Sequence, residues 1–372
     1  MRTTLLVVAT ALLSPSVAGA QRSLDLTGPP HRTLSEPFSQ VAGARGLPGD
    51  VAIVTDQLEQ RVFLVNFAED RRTQIGRQGS GPGEYRFPLR PLSAPNGLTW
   101  MLDASLRRVL TVSAAGRFQE SLAAPYAAVP GGLGTAIGTD RAGQLYFEGS
   151  SFDAETGRFT DSVAIVRWNP TTNRADVIGR VWSGGRIRVE RRGGAASVAR
   201  SVLPFPEVDA WVVLPDGRIA IIEQRPHRLR ILGGSPPGVF TSPELVATRV
   251  PVTAAERHAY REREEGARMV AAGASGAAQR RPPTGDAEFP ATMPAFIASS
   301  VLSSPDGEIW VGRSFAFNAA TRRYEIFDAT GRLIGVATLR RDATVVGFGD
   351  GLVLVARTDP DDHLVYLESY RR

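Results

Sequence analysis

One unit, a pair of short apolar runs divided by a polar hairpin, recurs six times along the 372 residues, and each copy is introduced by a tight-turn sequence. The chain also ends one strand short of a complete sixth copy, while its N-terminal segment carries a spare strand. These observations predict an all-β fold, a six-bladed β-propeller closed by the N-terminal strand joining the C-terminal blade, with a short helical insertion. Each blade is expected to be a meander of four antiparallel strands, A to D from the channel outwards.

Taken in order, residues 1–20 carry Arg2, an apolar core at 5–13, Pro15 and the small-x-small series Ala18-Gly19-Ala20. This is the layout of a secretory signal peptide cleaved after Ala20. The run is too short to cross ~30 Å of hydrocarbon, and no later segment is long and apolar enough. A propeller of residues 21–372 is therefore expected in the periplasm or outside the cell, with no membrane span.

The paired runs fall at 51–54 and 62–65, 98–102 and 109–112, 145–147 and 163–166, 219–222 and 229–232, 309–311 and 324–327, and 352–355 and 364–367. Continuous apolar runs suit blades covered on both faces by their neighbours. The preceding turns draw on the same few residues, as in Pro48-Gly49-Asp50, Pro95-Asn96-Gly97, Pro215-Asp216-Gly217 and Pro305-Asp306-Gly307. After Tyr370 nothing remains for a sixth strand D. Residues 31–35 lie just before 38–44, the expected first strand A, and can supply it, which removes the open edges of the ring.

Residues 74–88 read as a strand followed by a glycine-rich crossing, with Gly79, Gly81 and Gly83 at every second position, then Glu84, Tyr85, Arg86 and finally Pro88. The pattern G-x-G-x-G-E-aromatic-x-x-P resembles the signature of NHL repeats, the blade units of a family of β-propellers. It covers one blade closely and the others by layout, so it implies a fold more than a function. The resemblance implies that Glu84, Tyr85 and Pro88 lock the crossing onto the next blade. Arg77 and Arg86, which flank it, are candidate ligand contacts because arginine offers several donors in fixed geometry, and Glu84 is the acidic candidate beside them.

An acid at the end of strand B faces an arginine at the start of strand C in three units: Asp56 and Arg61, Asp103 and Arg108, Glu223 and Arg228. Each is expected to pair across its hairpin and pin the turn. In the fifth and sixth units Arg313 and Arg357 occupy the acid position, so the ring of strand ends changes sign across the disc and could orient a polar ligand.

In a meander the B–C hairpins and D–A crossings open on one face and the A–B and C–D turns on the other. The long excursions, 149–162, 183–206, 251–292 and 313–323, all belong to the first kind, so binding is expected on that face. The 251–292 excursion begins with a Thr253-x-x-Glu256 capping box and charged pairs four apart, predicting a helix to about Met269 and then a tether. It reads as a flap or as a solvated insertion. The arginine-rich run at 186–192 reads as a solvated loop or an anion-binding lip.

The chain has no cysteine, hence no disulfide or thiolate chemistry, and a net charge of +5. All its basic residues are arginine and they are scattered, so together with export no nucleic-acid partner is expected. Of the four histidines, His31 falls in the outer strand, His258 in the charged helix and only His227 and His363 in B–C hairpins, so no three-histidine zinc site is expected. No nucleophile elbow, Walker loop or dinucleotide fingerprint appears in proper context, and no cofactor is required. The expectation is a monomeric exported binding or scaffold protein for a protein, peptide or small-molecule ligand. The alternative is a metal-dependent hydrolase or lyase like the six-bladed lactonases, whose oxygen ligands leave no short signature.

Overall fold

A computed structural model describes residues 21–372, except 130–131, 154–157, 184–186, 192–197, 235–236 and 276–287. Six antiparallel sheets follow one another along the chain. Blade one comprises Val41–Leu47, Val51–Asp56, Arg61–Asn66 and Arg71–Ile75, and blade two Leu92–Ser93, Thr99–Asp103, Arg108–Val112 and Leu122–Ala123. Blade three comprises Leu133–Thr139, Leu145–Gly149, Ser162–Asn169 and Arg174–Trp182; blade four Ala210–Val213, Ile219–Gln224, His227–Gly233 and Gly238–Thr241. Blade five comprises Phe296–Ser303, Ile309–Arg313, Thr321–Phe327 and Leu333–Arg340. Blade six has only Ala343–Gly349, Leu352–Thr358 and Val365–Arg371 from the C-terminal part of the chain.

Its fourth strand is Arg32–Thr33, antiparallel to Val365–Arg371, with Arg32 opposite Ser369 and Thr33 opposite Glu368. The amides of His31, Leu34 and Phe38 donate to the carbonyls of Ser369, Leu367 and Val365. An N-terminal strand and the C-terminal strand thus share one sheet, as the unfinished sixth repeat predicted. A further contact was not foreseen. Arg22–Leu26 adds a fifth, parallel strand outside blade five, in register with residues 335–339, and Leu26 is buried there. The N-terminal segment therefore crosses from blade five to blade six before entering blade one.

The core is divided in the same way as the sheets. Six apolar clusters are present among the described residues, one between each neighbouring pair of blades. The cluster joining blade six to blade one contains Leu354 and Leu367 with Ala52, Val54 and Phe63, so the last interface is packed like the other five. Near the axis the inner strands of blades six and one come together backbone to backbone. A Cβ on Gly347 would lie 1.7 Å from the Ala44 carbonyl oxygen, so only glycine permits this approach.

The glycine-rich crossing folds onto itself. Glu84 accepts from the Gly81 amide at 2.8 Å and from Arg77 Nε at 2.8 Å. Tyr85 is fully buried; its hydroxyl accepts from the Val62 amide and donates to the Ile75 carbonyl, both at 3.1 Å. These hydrogen bonds tie the crossing to itself and to blade one, while the Tyr85 ring packs in the cluster between blades one and two; the lock onto the next blade that the resemblance implied rests on that ring and not on Glu84.

Candidate functional site

The hairpin acids take a different role from the one their spacing suggested. Asp56 faces Arg61 and Asp103 faces Arg108 in register, yet neither carboxylate binds its arginine. Asp103 accepts from the amides of Arg86, Phe87, Ser105 and Leu106 at 2.8–3.2 Å, and Asp56 likewise from Ser39, Gln40, Leu58 and Glu59. Both acids are fully buried, and several orphaned backbone donors solvate a buried carboxylate better than one mobile guanidinium can. Arg61 turns to Glu59 at 2.9 Å. Arg108 donates to the carbonyls of Ser80, Gly81 and Glu84, holding the glycine crossing. Only Glu223 forms the expected pair, with Arg228, and it also binds Arg230 at 2.9 Å.

Of the other sequence candidates, Arg77 is largely exposed and tied to Glu84. Arg86 is exposed, and its guanidinium has no partner among the described residues. Arg357 binds Asp359 and Glu368, both at 2.9 Å, and lies over the Tyr366 ring. Arg313 is mostly buried, 2.8 Å from His227 Nε2 and 3.5 Å from Glu325. The arginine run at 186–192 borders a hairpin of Ile187–Arg191 and Val198–Val202, but its side chains lie outside the described residues.

The long excursions of blades three to five meet. The neck of the 251–292 excursion is clasped, because the Val252 amide donates to the Ala291 carbonyl and the Met293 amide to the Val250 carbonyl. Helix α1 (Ala254–Ser275) starts from this neck and runs beyond the expected Met269. The capping box forms: Glu256 accepts from the Thr253 amide and hydroxyl, contacts that hold its carboxyl below the usual range. The other oxygen of Glu256 accepts from the Phe317 amide in the B–C hairpin of blade five. On the next turn Tyr260 packs against Phe205, from the crossing before blade four, and Phe289, with ring centroids 5.2 and 5.5 Å away. The root of the excursion is therefore docked rather than free, and its distal part at 276–287 lies outside the described residues.

Beside this junction lies a polar cluster that the sequence did not assemble, although it had marked some of its members. Arg313 can only donate to His227 Nε2, so Nδ1 carries the ring proton and donates to the Glu223 carbonyl at 3.1 Å. Burial, with the charges of Arg313 and Arg249 nearby, depresses His227 to about 4. Burial, reinforced by Glu223, raises Asp209 to about 6, although the Gln224 amide donates to it at 2.9 Å. Glu207 holds Arg225 and Arg249. Gln224, buried, ties blade four to the Ala295 amide and the Phe296 carbonyl of blade five. The sequence had marked His227, Glu223 and Arg313 separately, but nothing in it joined them to Asp209, Glu207 and Gln224.

A separate feature is the channel. A cavity of about 780 Å³ is lined by the six inner strands and their A–B turns. It opens on the face opposite the long excursions, away from the expected binding face. The oxygen-ligand metal centre implied by the lactonase alternative was tested against the side chains present. Among the described residues no group of three or more His, Asp or Glu side chains is arranged to hold a metal ion. No metal-dependent step is derived from these residues. Nor is any described helix long and apolar enough to cross a membrane.

No protein-family model matches the chain, and no curated protein sequence does either. Solved structures are similar over nearly the whole length. A putative exported protein from Bacteroides fragilis has a TM-score of 0.49 and 10% identity, covering 94% of this chain and 99% of that one. Regucalcin, a calcium-binding protein from Agrobacterium tumefaciens, has a TM-score of 0.44 and 12% identity, covering 94% and 97%. A gluconolactonase from Xanthomonas campestris has a TM-score of 0.44 and 9% identity, covering 91% and 88%. At these levels the architecture stands on the chain's own sheets and interfaces.

Proposed function

We propose that this chain is an exported, monomeric, NHL-like propeller that binds a protein or peptide ligand through the face carrying its D–A and B–C loops. One observation carries the reading. Three long excursions on that face are joined by the first turns of α1, through Glu256 to Phe317 and through Tyr260 to Phe205 and Phe289. Loops merely tolerated on a surface have no reason to be stitched together across blades; a composite platform on a rigid scaffold is how binding surfaces are built. Exposed Arg86 on the same face, and Arg77 on the rim of the glycine crossing, extend the platform with donors suited to backbone carbonyls and carboxylates. The metal-dependent hydrolase reading has less support, because no three His, Asp or Glu side chains converge among the described residues.

The test is selection from a displayed library of random 12-residue peptides on immobilised protein. Selected peptides should lose affinity at least tenfold with Arg86→Ala or Phe317→Ala, and keep it with Asp216→Ala on the opposite face. Peptides that respond only to Asp216→Ala, or turnover of a simple lactone that requires an added divalent metal, would overturn the proposal.

A further inference from the structure

The channel presents a different chemistry from the loop face. Arg90 stands in the crossing into blade two and lines the cavity near the axis. Its stem is admitted by Gly43 of blade one, where a Cβ would come within 2.9 Å of Arg90 Cβ. The residue is only partly accessible, and the space it reaches is the channel itself. Among the described residues its guanidinium has no hydrogen-bond or ion-pair partner, and burial lowers its pKa. Arg45, on the inner strand of blade one, lines the same cavity. It spends one nitrogen, Nη1, on the Leu98 carbonyl and the Thr99 hydroxyl, and burial depresses it to about 10. Both groups remain charged near neutral pH.

The acids around the cavity do not neutralise them. Asp140 is engaged by Tyr146 and Gln144, Asp306 by Arg372, and Asp350 stands exposed in the rim turn. Arg141 adds a further cation at the mouth. The wall mixes polar groups with apolar side chains, among them Ile137, Val213, Leu302, Val346 and Phe348. A partly buried arginine with free donors, in a cavity within the ~300–1,000 Å³ range of small-ligand sites whose wall carries some apolar side chains, is suited to an oxyanion. We propose that the channel binds a small organic oxyanion, a carboxylate or phosphate ester with an apolar body, with Arg90 as its principal charge partner and Arg45 as the second. The ligand would enter between the A–B turns, independently of the loop face.

The experiment is titration calorimetry on the full chain with hexanoate, hexyl phosphate and inorganic phosphate, alongside thermal melting. Hexanoate or hexyl phosphate should bind, and the stronger of the two identifies the head group. Arg90→Gln should weaken binding at least tenfold, and Arg71→Gln, on the outer strand of blade one, should not. Removing an unpaired enclosed charge should also raise the melting temperature of the ligand-free protein while abolishing the rise that ligand produces. The proposal is overturned if none of the probes binds, if Arg90→Gln binds as wild type, if inorganic phosphate binds as tightly as hexyl phosphate, or if Arg90→Gln lowers the ligand-free melting temperature.

Discussion

Replacing Asp103 by alanine tests the role that the buried hairpin acids play. Its carboxylate is fully buried and accepts from four backbone amides, two in the crossing from blade one and two in its own B–C turn. A hydrogen bond to a charged group contributes about 1.5–3 kcal/mol. Four sharing two oxygens do not add, and the two turn amides can find water once the carboxylate is gone. The cost should then be ~3–5 kcal/mol, among the larger single-residue effects. With an unfolding entropy of roughly 2 cal/mol/K per residue, that is a fall of about 4–7 °C in melting temperature. The assay is denaturant unfolding of wild type, Asp103→Ala, Arg108→Ala and the double variant. Because Arg108 binds carbonyls of the glycine crossing instead, its coupling to Asp103 should stay below ~0.5 kcal/mol. A coupling above ~1.5 kcal/mol would restore the ion pair, and a cost under ~1 kcal/mol for Asp103→Ala would refute the amide account.

Three further outcomes follow from named contacts. Tyr85→Phe removes a buried hydroxyl bonded to Val62 and Ile75 and should cost about 1–2 kcal/mol in denaturant unfolding; an unchanged midpoint would contradict it. Gly347→Ala places a methyl against the Ala44 carbonyl and should cost at least ~2 kcal/mol by forcing blades six and one apart, whereas a neutral result would mean the inner strands do not meet there. Raised to about 6, Asp209 binds a proton in the folded state that the unfolded chain lacks, so wild type loses stability as pH rises through about 6; His227, lowered to about 4, makes wild type lose stability as pH falls from ~6.5 towards 4. The melting-temperature gain of Asp209→Asn over wild type should therefore be larger near pH 7 than near pH 4, and that of His227→Gln should shift the other way; two flat differences would contradict both assignments.

The architecture was legible because its signals are local and repeated. Apolar pairs such as 51–54 with 62–65, each behind a proline, aspartate or glycine turn, fix strands and hairpins without reference to the rest of the chain. Ring closure was legible by subtraction, since the sixth unit lacked a strand that residues 31–35 could supply. The parallel strand Arg22–Leu26 was not, because five residues with two leucines carry no pairing address. Side-chain partnership was read less well than register. Asp56 and Arg61 are true cross-strand neighbours, but a carboxylate chooses among all donors within reach, and backbone amides from a crossing 16–17 residues away are invisible to spacing. The same limit hid the His227–Arg313 contact, which joins residues 86 apart. Arg90 had a faint signal, a lone arginine between Leu89 and Pro91 where the chain enters an inner strand. Its position facing the axis needed the fold.

The central claim is a ring closed by the two ends of the chain, because every placement of loops and channel depends on it. Hydrogen–deuterium exchange of peptides covering residues 31–38 and 365–371 tests it directly. The account predicts that the amides of His31, Leu34 and Phe38, which bond to blade six, are protected to the same degree as those of Val365–Arg371. Exchange of residues 31–38 at the rate of a free tail, with residues 365–371 still protected, would contradict it.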